Sequence, residues 1–264
     1  MSQTKVIPLD VRLMQTATWL LYAVLCILVI AAGVRWVARM PVFNIRAVQV
    51  VGDVEHHNAV TLRANVTPHI TGSLFHIDLM EVRDAFESMP WVRSAVVHRV
   101  FPNRLKVELQ EHQVVAFWGS ESDSKLLNSF GEVFEANVGE IEQDSLPRLI
   151  GPENQSAVVL EMYQLLAPHF DRAALSLEEL QLSARGSWRA RLDSGTVVEL
   201  GRSDKESIES ASVRFLSTVT QVTSRYGRPN TALASVDLRH QNGYAIRIHG
   251  VSTLVAEGPN SQGN

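Results

Sequence analysis

WVRSAVVHRVFPNRLKVELQ, residues 91–110, holds two extended segments and the turn between them. In its second half Leu105, Val107 and Leu109 alternate with Lys106, Glu108 and Gln110. Successive side chains of a strand point to opposite faces, so this pattern sets one face in a core and the other in water. Residues 91–100 are rich in valine and read as a partner strand. Phe101-Pro102-Asn103-Arg104 joins the two, with Pro102 where a type I turn takes a φ of about −65°. Upstream, Pro90 stops a helix that begins after Asp78, an N-cap with Glu81 three residues on as in a capping box. That helix sets Leu79, Val82 and Phe86 on one face. Further back, Asn58 caps a short helix carrying Val60 and Leu62, and residues 43–51 form a strand closed by Gly52. The expectation is a β-α-α-β-β unit with its helices on one face of a three-stranded sheet.

Ahead of this unit lies an uncharged apolar run, residues 17–34. As a helix it rises about 27 Å, close to the ~30 Å hydrocarbon core of a bilayer. Trp19 and Tyr22 near one end and Trp36 near the other are amphipathic rings suited to the headgroup level, and Arg35 and Arg39 can snorkel beside them. The run therefore reads as a membrane anchor over residues 17–37. The rival is a cleaved secretory signal, with Lys5 and Arg12 as its charged region and Ala31-Ala32-Gly33 as a cleavage site, but the run exceeds the usual ~7–15-residue signal core. A buried core helix fits less well, because nothing polar interrupts the run to give it a solvent face. Basic residues fall on both sides, Lys5 and Arg12 before it and Arg35, Arg39 and Arg46 after it, so charge counting leaves the orientation open.

The remaining ~225 residues suffice for one large domain or two ordinary ones. A net charge of −4 gives no electrostatic case for nucleic acid. The only cysteine, Cys26, lies inside the apolar run, which excludes an intrachain disulfide and a thiol site in the rest of the chain. After Glu111 the pattern changes to short strands at 114–118, 126–127 and 133–134, a helix over 154–170, and strands at 177–183, 187–192 and 197–200. Asp204 opens the best amphipathic helix of the chain, in which Ile208, Ala211, Phe215, Val219 and Val222 recur at helical spacing before Gly227 and Pro229 end it. Residues 236–239 and 244–248 form a last hairpin around Asn242-Gly243, a strong turn dipeptide. This second part, residues 113–250, reads as a bent mixed sheet backed by two helices. Residues 251–264 read as a disordered tail, polar and containing Gly and Pro from Glu257 on.

Catalysis finds little support. His56-His57 has no cysteine or acidic spacing of a zinc site, and no nucleophile elbow, phosphate loop or dinucleotide fingerprint is present. Glu108, Glu111 and Glu132 read as solvated carboxylates, and Arg99 and Arg104 as strand-end surface charges. Neither a cofactor nor a small-molecule substrate is expected. The better candidates are strand edges, whose unpaired main-chain groups a partner strand can use. By pattern alone residues 244–248 are a final structural strand.

Phe43-Asn44-Ile45, Val48 and Val50 before Gly52, Leu74-Phe75 with Ile77-Asp78, Pro90-Trp91-Val92, Ala95, and Arg99 followed by Phe101-Pro102-Asn103-Arg104-Leu105 together resemble a POTRA domain over 43–112. Glu111 to Trp118, Ser187-Trp188, Leu200-Gly201-Arg202 and Val236-Asp237-Leu238-Arg239 follow in the order and spacing of the FtsQ/DivIB family of bacterial cell-division proteins. The resemblance implies an α+β architecture: a cytoplasmic tail at 1–16, one transmembrane helix, and POTRA and β domains in the periplasm. It implies an essential, non-enzymatic inner-membrane scaffold at the division septum that links cytoplasmic and periplasmic divisome proteins and binds FtsB and FtsL. A POTRA-bearing secretion or outer-membrane assembly component is the alternative. Carried over residue by residue, the partner surface falls on Arg185, His240, Asn242 and Gly243, with Tyr244, Ile246 and Ile248 on the strand offered for augmentation. His240 and Ile248 stand where enteric members carry tyrosine and tryptophan, and Gly186 where they carry a second arginine.

Overall fold

The computed structural model describes residues 9–52, 66, 68, 70, 72–123, 125–137, 139, 146–240 and 242–251. The helix expected after Asn58, the His56-His57 pair and nearly all of the polar tail lie outside the described residues. The chain divides into two compact units at Glu111.

The first unit begins with helix α1, Leu9–Ala38, which starts well before the apolar run. Residues Met14–Val37 are long and apolar enough to cross a membrane, and none of the span's most apolar window is buried in protein. A 3-10 turn, Pro41–Phe43, leads to strand β1, Ala47–Gly52. Helix α2, Leu79–Glu87, follows, then β2, Val92–Val100, and β3, Arg104–Glu111. The sheet order is β1-β3-β2, with β3 central, parallel to β1 and antiparallel to β2. The Asp78 carboxylate accepts the Met80 N–H at 2.8 Å, as an N-cap does. Val82 and Phe86 then face Leu105, Val107 and Leu109 in one buried cluster. Gly52 pairs beside Leu109 with φ +119°, where a Cβ would meet the Leu109 carbonyl oxygen at 2.1 Å, so only glycine closes this strand.

Three expectations fail here. The first strand spans only Ala47–Gly52, because the chain ahead of it turns at Pro41–Phe43. Glu111, read as a solvated carboxylate, is buried. Arg99 is a clamp rather than a surface charge: its Nε donates to the Leu74 carbonyl at 2.8 Å and a terminal nitrogen to that of Ile77 at 2.9 Å.

The second unit contains strands β4 (Val114–Trp118), β5 (Lys125–Asn128), β6 (Val133–Phe134), β7 (Arg148–Ile150), β8 (Leu177–Leu182), β9 (Trp188–Leu192), β10 (Val197–Gly201), β11 (Leu233–Asp237) and β12 (Ala245–Ile248). They form one mixed sheet in the order β12-β11-β10-β9-β8-β7-β4-β5-β6. Helices α3, Ser156–Arg172, and α4, Lys205–Arg225, connect the parallel pairs β7/β8 and β10/β11, because a parallel return needs a long crossover. Phe170 of α3 and Phe215 of α4 are fully buried in a core with Leu180, Leu192 and Val198 of the sheet. His169 and Glu209, 3.1 Å apart, bridge the two helices. Asp204 caps α4 by accepting the Ser207 N–H at 3.0 Å. The architecture is α+β: an apolar N-terminal helix, a three-stranded unit with helix α2 packed on it, and a mixed sheet backed by helices.

Candidate functional site

Among the described residues, strand β12 forms one end of the mixed sheet and pairs with β11 alone. Its burial alternates: Ala245 and Arg247 are exposed, Ile246 is half-buried, and Ile248 is 6% exposed. The Tyr244 hydroxyl lies 2.7 Å from Thr218 Oγ1, and its ring meets Phe215 edge-on at 5.2 Å. Tyr244, Ile246 and Ile248 thus point toward α4 and the core, as alternation along a strand requires.

The main chain has a direction as well. The His249 N–H donates to the Ala232 carbonyl at 2.9 Å. Bonding toward a partner alternates along an antiparallel strand, and the register irregularity lies in β11, between Leu233 and Ser235. Residues 245, 247 and 249 therefore turn their N–H and C=O groups to β11, whereas those of Ile246 and Ile248 face away from the sheet. The Ile248 carbonyl accepts from the Val251 N–H at 3.3 Å, in a turn outside the ladder. What β12 offers is a main-chain edge, with exposed Ala245 and Arg247 side chains on one face of it.

The topology gathers the other candidates at one end of this sheet. Trp188 at the start of β9 pairs with Gly201 at the end of β10, Glu199 of β10 pairs with Asp237, and Asp237 pairs with Ala245. Arg185 is exposed in the β8–β9 turn, which Gly186 closes at φ +77° with the Gly186 N–H bonded to the Ser183 carbonyl. At ~4.8 Å per strand, that turn lies roughly 14–19 Å across the sheet from β12. His240 and Asn242 are exposed and Gly243 half-buried in the connection between β11 and β12.

That connection is longer than the expected Asn-Gly hairpin, since β11 ends at Asp237 and β12 begins at Ala245. Leu238 is buried and its N–H donates to the Glu199 carbonyl at 2.8 Å, which turns the chain toward β10. Asp237 then accepts the Arg239 backbone N–H at 3.0 Å and its side-chain Nε at 2.8 Å. The Arg239 side chain, bonding to Asp237, holds that carboxyl down at about 2. Arg239 and Arg247 were not among the expected contacts. The strict alternation of residues 244–248 marks Arg247 as the outward charge, and Asp237-x-Arg239 is a short-range ion-pair spacing.

On α1, Trp19 and Trp36 are exposed and lie about 25 Å apart along the axis at 1.5 Å per residue, with Tyr22 exposed and Arg35 in the last turn. Among the described residues no group of three or more His, Cys, Asp or Glu side chains is placed to hold a metal ion.

Family models agree with both units. "POTRA domain, FtsQ-type" matches residues 43–112, and "Cell division protein FtsQ/DivIB, C-terminal" matches residues 116–239. The cell division protein FtsQ of Burkholderia pseudomallei is 38% identical over 246 residues, covering 93% of this chain and 96% of the relative. That of Thiomonas arsenitoxydans is 36% identical over 247 residues, 93% of this chain and 90% of the relative. That of Bordetella pertussis is 35% identical over 235 residues, 82% of this chain and 84% of the relative. With an apolar N-terminal helix, a matched POTRA unit and a matched C-terminal sheet, this chain belongs to the FtsQ/DivIB family of cell-division proteins.

Proposed function

We propose that this chain is a single-pass inner-membrane scaffold of the division septum. Its tail is cytoplasmic, both folded units are periplasmic, and it binds FtsB, in complex with FtsL, by strand addition to β12. One observation supports the binding mode above others: among the described residues β12 ends its sheet, with the N–H and C=O groups of Ile246 and the N–H of Ile248 turned outward. An incoming strand bonds to those groups whatever its side chains. The inward turn of Tyr244 and Ile248 gives them the role of fixing the edge rather than touching the partner. Arg185, His240, Asn242 and Gly243 rim the same sheet end, and Arg185 supplies a charge-assisted contact to a partner carboxylate. The role is assembly, with no catalysis and no cofactor. A pull-down of purified FtsB/FtsL with Ala245→Pro or Ile246→Pro tests the edge; undiminished capture by both folded variants would discard strand addition.

A further inference from the structure

Three phenylalanine rings form an open chain on the first unit. Phe43 meets Phe75 edge-on at 4.9 Å, and Phe75 meets Phe101 at 5.7 Å with a 49° tilt. Phe75 and Phe101 are 44% and 62% exposed, and Val42 beside Phe43 and Val100 beside Phe101 are exposed too. None of the three rings belongs to the buried cluster of this unit. The backbone laces their segments together: Leu74 N–H donates to the Phe43 carbonyl at 2.8 Å, Ile45 N–H to that of Gly72 at 3.2 Å, and Arg46 N–H to that of Asn103 at 2.9 Å.

Covalent reach fixes where this patch must be. Helix α1 ends at Ala38 and Phe43 follows in a 3-10 turn. Five residues span at most ~18 Å even when fully extended. Here they are shortened by turns, with Met40 N–H bonded to the Val37 carbonyl at 3.0 Å and Phe43 N–H to that of Met40 at 3.1 Å. The rings are therefore tethered within one short turn of the end of the span. Exposed phenylalanine side chains on a surface held at a bilayer bury into the boundary between headgroups and acyl chains. Exposed Arg46 and Arg104 flank the patch, Arg104 in register with Ala47, and suit lipid phosphates.

We propose that Phe43, Phe75 and Phe101 rest in the headgroup layer of the membrane that α1 crosses, holding the first unit against the bilayer surface. The short tether favours lipid as the occupant, because it keeps the rings beside the bilayer whatever else binds. The inference rests on α1 as a true span.

The test uses the full-length chain in vesicles of phosphatidylethanolamine and phosphatidylglycerol. A nitroxide is placed at His76→Cys, exposed next to Phe75, in a Cys26→Ser background. The reference is Gln110→Cys, exposed about 20 Å farther along β3 at ~3.4 Å per residue. The expected ratio of oxygen to aqueous nickel-chelate accessibility is several-fold higher at position 76 than at position 110. Phe75→Ser with Phe101→Ser should bring the two positions level while the circular-dichroism melt stays unchanged, and Phe101→Ser alone should lower the ratio in part. Equal ratios in the parent overturn the proposal, as does a ratio untouched by both sets of substitutions. Protection of position 76 from both reagents also overturns it, since that marks a protein occupant. A label at native Cys26 reports insertion separately; without a deep-lipid signature there, the anchor itself fails and the proposal with it.

Discussion

Replacing Ile246 by proline tests the outward edge of β12 without cutting its bonds to β11. The Ile246 N–H points away from β11, so its loss leaves the ladder formed through residues 245 and 247 in place. Proline is tolerated on such an edge, and its ring projects toward an incoming strand. Binding loses one main-chain hydrogen bond, about 0.5–1.5 kcal/mol, and leaves a partner carbonyl unsatisfied for about 1–3 kcal/mol more. The sum, about 1.5–4.5 kcal/mol, corresponds to a roughly 10- to 1,600-fold rise in Kd. Ile246→Val supplies the contrast: it trims a half-buried side chain, costs about 0.5–1.5 kcal/mol of stability, and leaves the main chain intact. Titration calorimetry with purified FtsB/FtsL, beside a thermal melt of each variant, separates the two effects. Proline should weaken binding strongly with a modest melt shift, and valine should shift the melt while binding stays within twofold. A folded Ile246→Pro protein that binds within twofold of the parent would refute main-chain recognition at this strand.

Arg185→Glu should weaken the same complex by about 1–2 kcal/mol, roughly 5- to 30-fold, and flatten its salt dependence; equal affinity at low salt removes Arg185 from the surface. Asp237, held at about 2 by Arg239, lies below the ordinary carboxyl value of about 3.9. Its contribution to stability is therefore complete above about pH 4 and is lost as pH falls through about 2. Carboxyl NMR titration should find that midpoint, and Arg239→Gln should move it toward 3.9. Gly52→Ala forces a Cβ to 2.1 Å from the Leu109 carbonyl at φ +119° and should destabilise the first unit by about 2 kcal/mol or more, read as a lowered melt confined to that unit.

Local chemistry made much of this architecture legible. The alternation of residues 105–109, the cap at Asp78 and the helical spacing after Asp204 each encode their element in adjacent residues, and each forms as read. Strand β7 was missed because only Arg148–Ile150 pair, too short a run to show a period. Its signal was an apolar pair, Leu149-Ile150, set between Pro147 and Gly151. The Asn242-Gly243 dipeptide suggested a tight hairpin because turn propensity is local, whereas β11 ends through a long-range bond from Leu238 to Glu199. Arg99 was misread for the same reason, its acceptors lying at Leu74 and Ile77 in a distant loop. At the candidate site, the strand itself was visible in residues 244–248. Its place at the end of a sheet was not, because strand order is a property of crossovers rather than of any short stretch.

The central position of β3 sets the order in which the first unit can be made. Among the described residues, strands β1 and β2 have no ladder with each other, and both bond only to β3, the last of the three to emerge. During synthesis the sheet cannot begin until residues 104–111 are available, however long the earlier strands have been exposed. Its completion then coincides with the point at which the second unit starts to emerge. A chain halted before Arg104 carries a membrane anchor and two lone strands, a species with open edges for quality-control proteases to recognise.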